Sequence, residues 1–150
     1  KQGTPSGFPE WLLYYEKGGV FMADAAAKVR LSAPLERVWE VVTDLTRWDW
    51  RRDLSRIEVS GESGFIEVDK DGRETNFTIT GWEPLALWEF SMENPNLTGY
   101  CRVVFERDGE GTLLTLSESV SAKKLLMRPM VKGYLQKHQA DYLEDLRNAL

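Results

Sequence analysis

A chain of 150 residues, 42% hydrophobic and 29% charged, is sized for one domain that buries roughly 68–70% of the surface its unfolded chain exposes, with too little left for a second independent core. Its net charge of −5 supplies no basic field for a phosphate backbone, which argues against nucleic acid as a partner. One cysteine, Cys101, rules out an internal disulfide, and one histidine, His138, removes the usual zinc, haem and two-histidine iron sites, so neither a metal nor a cofactor is expected.

The first 21 residues differ from the rest. Gly3, Pro5, Ser6, Gly7 and Pro9 interrupt structure, Trp11-Leu12-Leu13-Tyr14-Tyr15 is an apolar run, and Gly18-Gly19 follows. Met22 stands where an initiator would, so residues 1–21 read as a leader or N-terminal extension and residues 22–150 as the folded domain. The alternative is a short appended helix covering an apolar patch. Five consecutive apolar residues favour docking, on a pocket mouth of the same molecule or on a neighbouring copy, and make a homodimer through this segment an expected arrangement. The run is shorter than the 7–15-residue core of a secretory signal, and no run in the chain approaches the ~20 residues of a membrane-spanning helix. No transmembrane segment is therefore expected, and the setting is read as reducing and cytoplasmic. The sequons at Asn76 and Asn96 are then incidental.

From Asp24 to Leu31, Ala25, Ala27, Val29 and Leu31 alternate with polar neighbours, the period-2 pattern of a half-buried strand. Ser32 is a good helix cap, Pro34 fits a first turn, and Leu35, Val38, Trp39, Val42 and Leu45 recur at helical spacing, predicting a helix over 33–44. Thr46 is placed to cap a second short helical turn carrying Trp48 and Trp50. Turn signals at 61–64, 71–72, 83–84, 94–96 and 108–111 then punctuate the chain at intervals typical of an antiparallel meander, predicting strands near 55–60, 65–69, 73–82, 86–92, 98–107 and 112–120. From Lys124 to Leu150, Met127, Val131, Tyr134, Leu135, His138, Tyr142, Leu146 and Ala149 are three or four apart, the signature of one long amphipathic helix with Pro129 confined to its start.

The stretch Leu31-Ser32-Ala33-Pro34-Leu35-Glu36-Arg37-Val38-Trp39-Glu40-Val41-Val42-Thr43-Asp44 with Trp48, the turn Ile79-Thr80-Gly81-Trp82-Glu83-Pro84, and Gly111-Thr112-Leu113-Leu114-Thr115-Leu116 leading into the last helix resemble the polyketide cyclase/dehydrase branch of the START-like (SRPBCC) superfamily. The resemblance spans about Ala23 to Leu150 and implies an α+β helix-grip fold: a curved antiparallel sheet of about seven strands wrapped around a long C-terminal helix, with two short helices after the first strand. It also implies a cavity for a lipid, polyketide, quinone or similar small hydrophobic ligand. The matching positions are mainly structural, so no pocket residue is transferred by motif.

The residues themselves supply the candidates. Phe77, Ile79, Trp88, Phe90, Met92, Val103 and Leu116 share the apolar sheet face, and Tyr134 and His138 lie on the inner side of the last helix; these nine form the expected ligand-binding set. Glu118 shares strand parity with Leu116 and Val120, so either it is an inward carboxylate that must be paired or shift its pKa upward, or it reaches solvent near a strand end. Glu118, Tyr134 and His138 are the candidates for acid–base work, with a satisfied structural histidine as the competing reading of His138. Trp39 and Trp48 read as core, Cys101 as inert burial beside Val103 and Phe105, and Lys123, Lys124, Arg128, Lys132 and Lys137 as a solvated helix face. Three functions stand: binding or carriage of a small hydrophobic molecule, a cyclase- or dehydratase-like enzyme, and a protein-interaction or membrane-surface delivery module.

Overall fold

A computed structural model describes residues 22–150; the leader, its docking and the homodimer expected through it lie outside the described residues. Strand β1 (Ala23–Leu31) and helix α1 (Leu35–Thr43) open the domain. Six strands follow: β2 (Leu54–Ser60), β3 (Gly64–Asp69), β4 (Glu74–Glu83), β5 (Leu87–Glu93), β6 (Leu97–Asp108) and β7 (Gly111–Ala122). A single 3₁₀ turn (Leu125–Met127) leads into α2 (Arg128–Ala149). The strands form one curved sheet in the order β1-β7-β6-β5-β4-β3-β2, antiparallel at every seam. This is the helix-grip arrangement, with α2 across the concave face.

Local chemistry explains the hairpins. In the β3–β4 turn the Asp69 carboxylate accepts the backbone N–H groups of Asp71 and Arg73, each at 2.9 Å, and Gly72 takes a φ of +83°. That left-handed conformation suits glycine and strains most other residues. Gly109 does the same at the β6–β7 turn, φ +59°. The alternation then sorts side chains: along β6, Cys101, Val103 and Phe105 are buried while Arg102 and Val104 are less so.

Two details differ from the sequence expectation. Ser32 does not cap α1; the chain bends at Ser32 and Ala33, Pro34 occupies the cap position in extended conformation, and the Thr112 hydroxyl holds the preceding Ala33 carbonyl at 2.9 Å, so the helix starts only at Leu35. The second short helix after β1 is replaced by turns across 45–53. Asp44 offers a competing local structure: its carboxylate accepts both the Thr46 N–H (3.0 Å) and hydroxyl (2.6 Å), a side-chain-closed turn in place of a new helical turn. Arg52 fastens this segment to α2: its backbone N–H and Nε donate to the two oxygens of Asp145 at 2.8 and 2.9 Å.

Helix α1 buries Leu35, Val38 and Val42, while Trp39 is only partly buried, edge-on to Trp82 and Phe105 with ring centroids 5.0 and 4.9 Å away. Helix α2 packs in two places. Val131 and Leu135 meet Ala23, Ala25, Val120 and Ala122, and farther along Leu146 and Tyr142 join the main core of Leu31, Leu35, Val38, Phe65, Trp88, Phe105 and Leu114. Between these contacts Gln139, almost fully buried, donates to the Ala25 carbonyl at 3.0 Å and to Glu118 Oε1 at 3.2 Å. Met127 and Tyr134, expected on the apolar face, remain 36% and 55% exposed. Helical phase gives the side a residue is on; both residues do line the outer chamber, where they border open space rather than packed core.

Candidate functional site

The sheet and α2 enclose two adjoining chambers. The inner one, about 90 Å³, lies among aromatic and aliphatic side chains of the sheet, α1 and the 45–53 turns, including Phe65, Trp88, Phe90, Val103, Leu116 and Tyr142. The outer one, about 340 Å³, lies under the first half of α2 and is walled by Leu54, Leu97, Val120, Met130, Val131 and Leu135 among others. Glu67, Phe77, Met92, Glu118 and His138 line both, forming a shared and largely polar partition between two mostly apolar spaces.

The charged groups in and beside that partition come from four elements. The 45–53 turns supply Arg51 and Asp53, β3 supplies Glu67, and β7 and α2 supply Glu118 and His138. Arg51, with its side chain 9% exposed, bridges two carboxylates: Nη2 lies 2.8 Å from Asp53 Oδ2 and 3.2 Å from Glu67 Oε2, and a second short contact joins Nη1 to Glu67. Its guanidinium carbon also sits 5.2 Å from the centre of the Tyr142 ring, a favourable stacking geometry for a desolvated cation. Asp53 Oδ2 is 3.2 Å from His138 Nε2, and the Tyr134 ring stacks on His138 from the mouth side, centroids 5.9 Å apart.

The electrostatics follow from burial and neighbours. Burial is the largest influence on Glu118 and pushes its carboxyl up, against the opposing pull of His138 and the Gln139 hydrogen bond. Burial alone would favour the neutral His138 ring, but the Asp53 hydrogen bond and the Glu118 charge outweigh it and hold the imidazole above its ordinary value. Asp53 is held well below the usual carboxylate range, since the His138 and Arg51 contacts overcome its desolvation. The wall thus carries one group inclined to keep a proton beside another inclined to gain one. Burial first, then the Glu118 and Glu67 charges, push the Cys101 thiol up, consistent with an inert cysteine.

Because His138 is the one histidine of the chain, its proton-exchange behaviour is a single NMR signal. Glu118→Gln is expected to lower the His138 pKa, since it removes one of the charges that raise it. The sign for stability is also fixed. A carboxyl whose pKa is raised on folding binds its proton more tightly in the native state, so its presence costs stability as pH climbs above the ordinary carboxylate range. The variant should therefore gain on the wild type between about pH 4 and pH 7 in urea unfolding. An unmoved His138 titration, or a stability difference independent of pH, would refute this account.

The nine expected ligand residues divide. Trp88, Phe90, Val103 and Leu116 line the inner chamber, Tyr134 the outer, and Phe77, Met92 and His138 both. Ile79 lines neither; it is packed against the main core beyond the chambers, next to a register shift in β4 between Ile79 and Gly81. Glu118 and His138 are brought together on one wall, while Tyr134 stands at its outer edge. Sequence reasoning missed Arg51, Asp53 and Glu67. Glu67 carried a signal, since it shares parity with Phe65 in β3, the argument already applied to Glu118. The buried Trp88 indole N–H has no partner among the described residues, leaving a donor unspent beside the inner chamber. Among the described residues no group of three or more His, Cys, Asp or Glu is arranged to hold a metal ion.

A family described as polyketide cyclase/dehydrase and lipid transport matches residues 22–150. Comparison with curated proteins found no match. Among solved structures, a START superfamily protein from Mycobacterium smegmatis superposes with a TM-score of 0.76 at 14% identity, over 84% of this chain and 95% of that one. An aromatase/cyclase from Streptomyces sp. R1128 gives 0.74 at 18% identity, over 86% and 93%. A conserved protein from Geobacillus kaustophilus gives 0.74 at 14%, over 84% and 93%. At these identities the likeness is one of fold.

Proposed function

The chain belongs to the polyketide cyclase/dehydrase and lipid transport family, and from that premise we propose that it binds one small, mainly apolar molecule bearing a polar group. The observation that carries this reading is the outer chamber of about 340 Å³, greasy on most sides and closed on its inner wall by His138 and Glu118. Its volume falls within the usual range for small-molecule pockets, whereas the inner chamber of about 90 Å³ suits only the tip of such a ligand. Hydrocarbon gains by leaving water in either chamber, and a ligand hydroxyl or carbonyl meets a wall that can both donate and accept.

The test compares 1-naphthol with naphthalene as probes, followed by quenching of protein tryptophan fluorescence. Naphthol is expected to bind about fivefold to tenfold more tightly, the worth of one hydrogen bond to a partly charged wall. His138→Phe should erase that preference while leaving naphthalene affinity within about twofold. Equal affinity of the wild type for both probes, or no binding of either, overturns the reading. Native mass spectrometry of protein taken from its own host would identify the physiological ligand.

One observation favours a second reading, a cyclase- or dehydratase-like enzyme. Glu118 and His138 share a wall, so a carbonyl-bearing substrate would meet a carboxyl and an imidazole at once. General acid–base help of ~10²–10⁴ in rate would be available from such a pair. Turnover lost in both Glu118→Gln and His138→Gln, with probe binding kept, would identify catalysis; turnover unaffected by both would exclude this pair.

A further inference from the structure

The end of the molecule where β7 hands over to α2 is unusual in two independent ways. First, it exposes large apolar side chains that pack on nothing in the core: Leu126 is 90% exposed, Leu125 70% and Met130 62%. They belong to the 3₁₀ turn and the first turn of α2. Second, residues 119–140 carry five of the chain's 19 cationic side chains, Lys123, Lys124, Arg128, Lys132 and Lys137, and none of its 24 acidic ones. Lys123 and Lys137 are engaged by Glu93 and Asp141, but Lys124, Arg128 and Lys132 have no ion-pair partner among the described residues. In a chain of net charge −5 this end is a local positive field.

We propose that this end docks on an anionic lipid bilayer, with Leu125, Leu126 and Met130 entering the headgroup boundary and Lys124, Arg128 and Lys132 meeting the lipid phosphates. Exposed leucine and methionine beside unpaired cations is the combination that interfacial binding requires, since acyl chains take the apolar tips and surface charge holds the belt. Each cation near such a surface adds roughly fivefold to partitioning, so three account for a substantial preference over a neutral bilayer. Met127 and Met130 also line the outer chamber, which places the docking end at the chamber mouth. The contact is peripheral: no helix among the described residues is long and apolar enough to cross a membrane.

The full chain is floated with vesicles of phosphatidylcholine alone and of phosphatidylcholine with about 30% phosphatidylglycerol. Partitioning should favour the anionic vesicles by at least about tenfold and weaken as salt is raised. Leu125→Ser/Leu126→Ser should lose about tenfold or more on anionic vesicles without a change in unfolding midpoint, because both side chains are outside the core. Lys124→Glu/Lys132→Glu should abolish the preference for anionic vesicles. Equal partitioning of the wild type to both vesicles, or a leucine variant that binds as the wild type does, overturns the proposal. So does binding that depends on Trp11→Ser/Leu12→Ser and not on the leucines, which would assign the membrane contact to the N-terminal segment. A wild-type dimer in sedimentation that the leucine variant dissociates would assign the patch to a second copy of the chain and overturn it as well.

Discussion

Replacing Arg51 by methionine is expected to destabilise the domain by about 3–5 kcal/mol, the usual cost of removing one member of a buried ion pair. The size of the effect comes from what is left behind. Arg51 neutralises Asp53 and Glu67 together, and those side chains are only 31% and 16% exposed. Methionine fills the space of the stem but leaves two carboxylates on a chamber wall facing no guanidinium. Asp53 retains His138 as a partner, while no ion pair to Glu67 other than that from Arg51 is present among the described residues. Lysine at the same position would keep the charge but not the two-sided fork, and should recover part of the loss.

The pH dependence of that loss follows from the direction of the Asp53 shift. A carboxyl held below its ordinary range by its partners lends stability at pH values above the unfolded-state pKa, and that contribution disappears as the group is protonated in acid. The gap between wild type and Arg51→Met should therefore be widest near pH 7 and narrow below about pH 4 in urea unfolding. A loss under about 1 kcal/mol at neutral pH would show that the triad is solvated rather than buried.

How far such features can be read from the sequence depends on whether periodicity reports them. All seven strands were legible because turn signals bound the hairpins and, in several strands, one face is wetter than the other so that alternation survives; Phe77 and Ile79 against Thr78 and Thr80 show it plainly. Glu118 was legible for the same reason, as an acidic residue at an apolar parity. Parity fixes a face, however, and not a position along it, which is why Ile79 was grouped with Phe77 although only Phe77 reaches the chambers. Helical phase has the same limit for Met127 and Tyr134. Arg51 and Asp53 were beyond reach for a different reason: they sit in turns, where no period exists, and their partners Glu67 and His138 lie 16 and 85 residues away. The segment looked helical because Thr46, Trp48 and Trp50 suit a helix, and the turn closed by the Asp44 side chain competes with it.

Phe65→Ala should cost about 3–5 kcal/mol and in exchange create a new ligand site. Phe65 is 2% exposed and pairs directly across the β3–β4 seam with Phe77, their rings parallel within 3° and 4.8 Å apart. Trp88 and Phe90 approach it with centroids 6.0 Å away, so truncation strips contacts from three aromatic neighbours at once. Those neighbours are held by the β4–β5 and β5–β6 ladders and cannot collapse freely into the gap. The void therefore adds to the inner chamber, now about 90 Å³, and brings it toward the ~150 Å³ at which an apolar cavity in a protein takes up benzene. A ligand that binds only the folded state stabilises it in proportion to the logarithm of its saturation, so benzene should restore part of the variant's lost stability and do little for the wild type. Thermal unfolding of both proteins in buffer and in benzene-saturated buffer measures the difference. Equal benzene shifts in the two would mean that the sheet closes over the missing ring, and that the inner chamber is ordinary core rather than the blind end of a binding cavity.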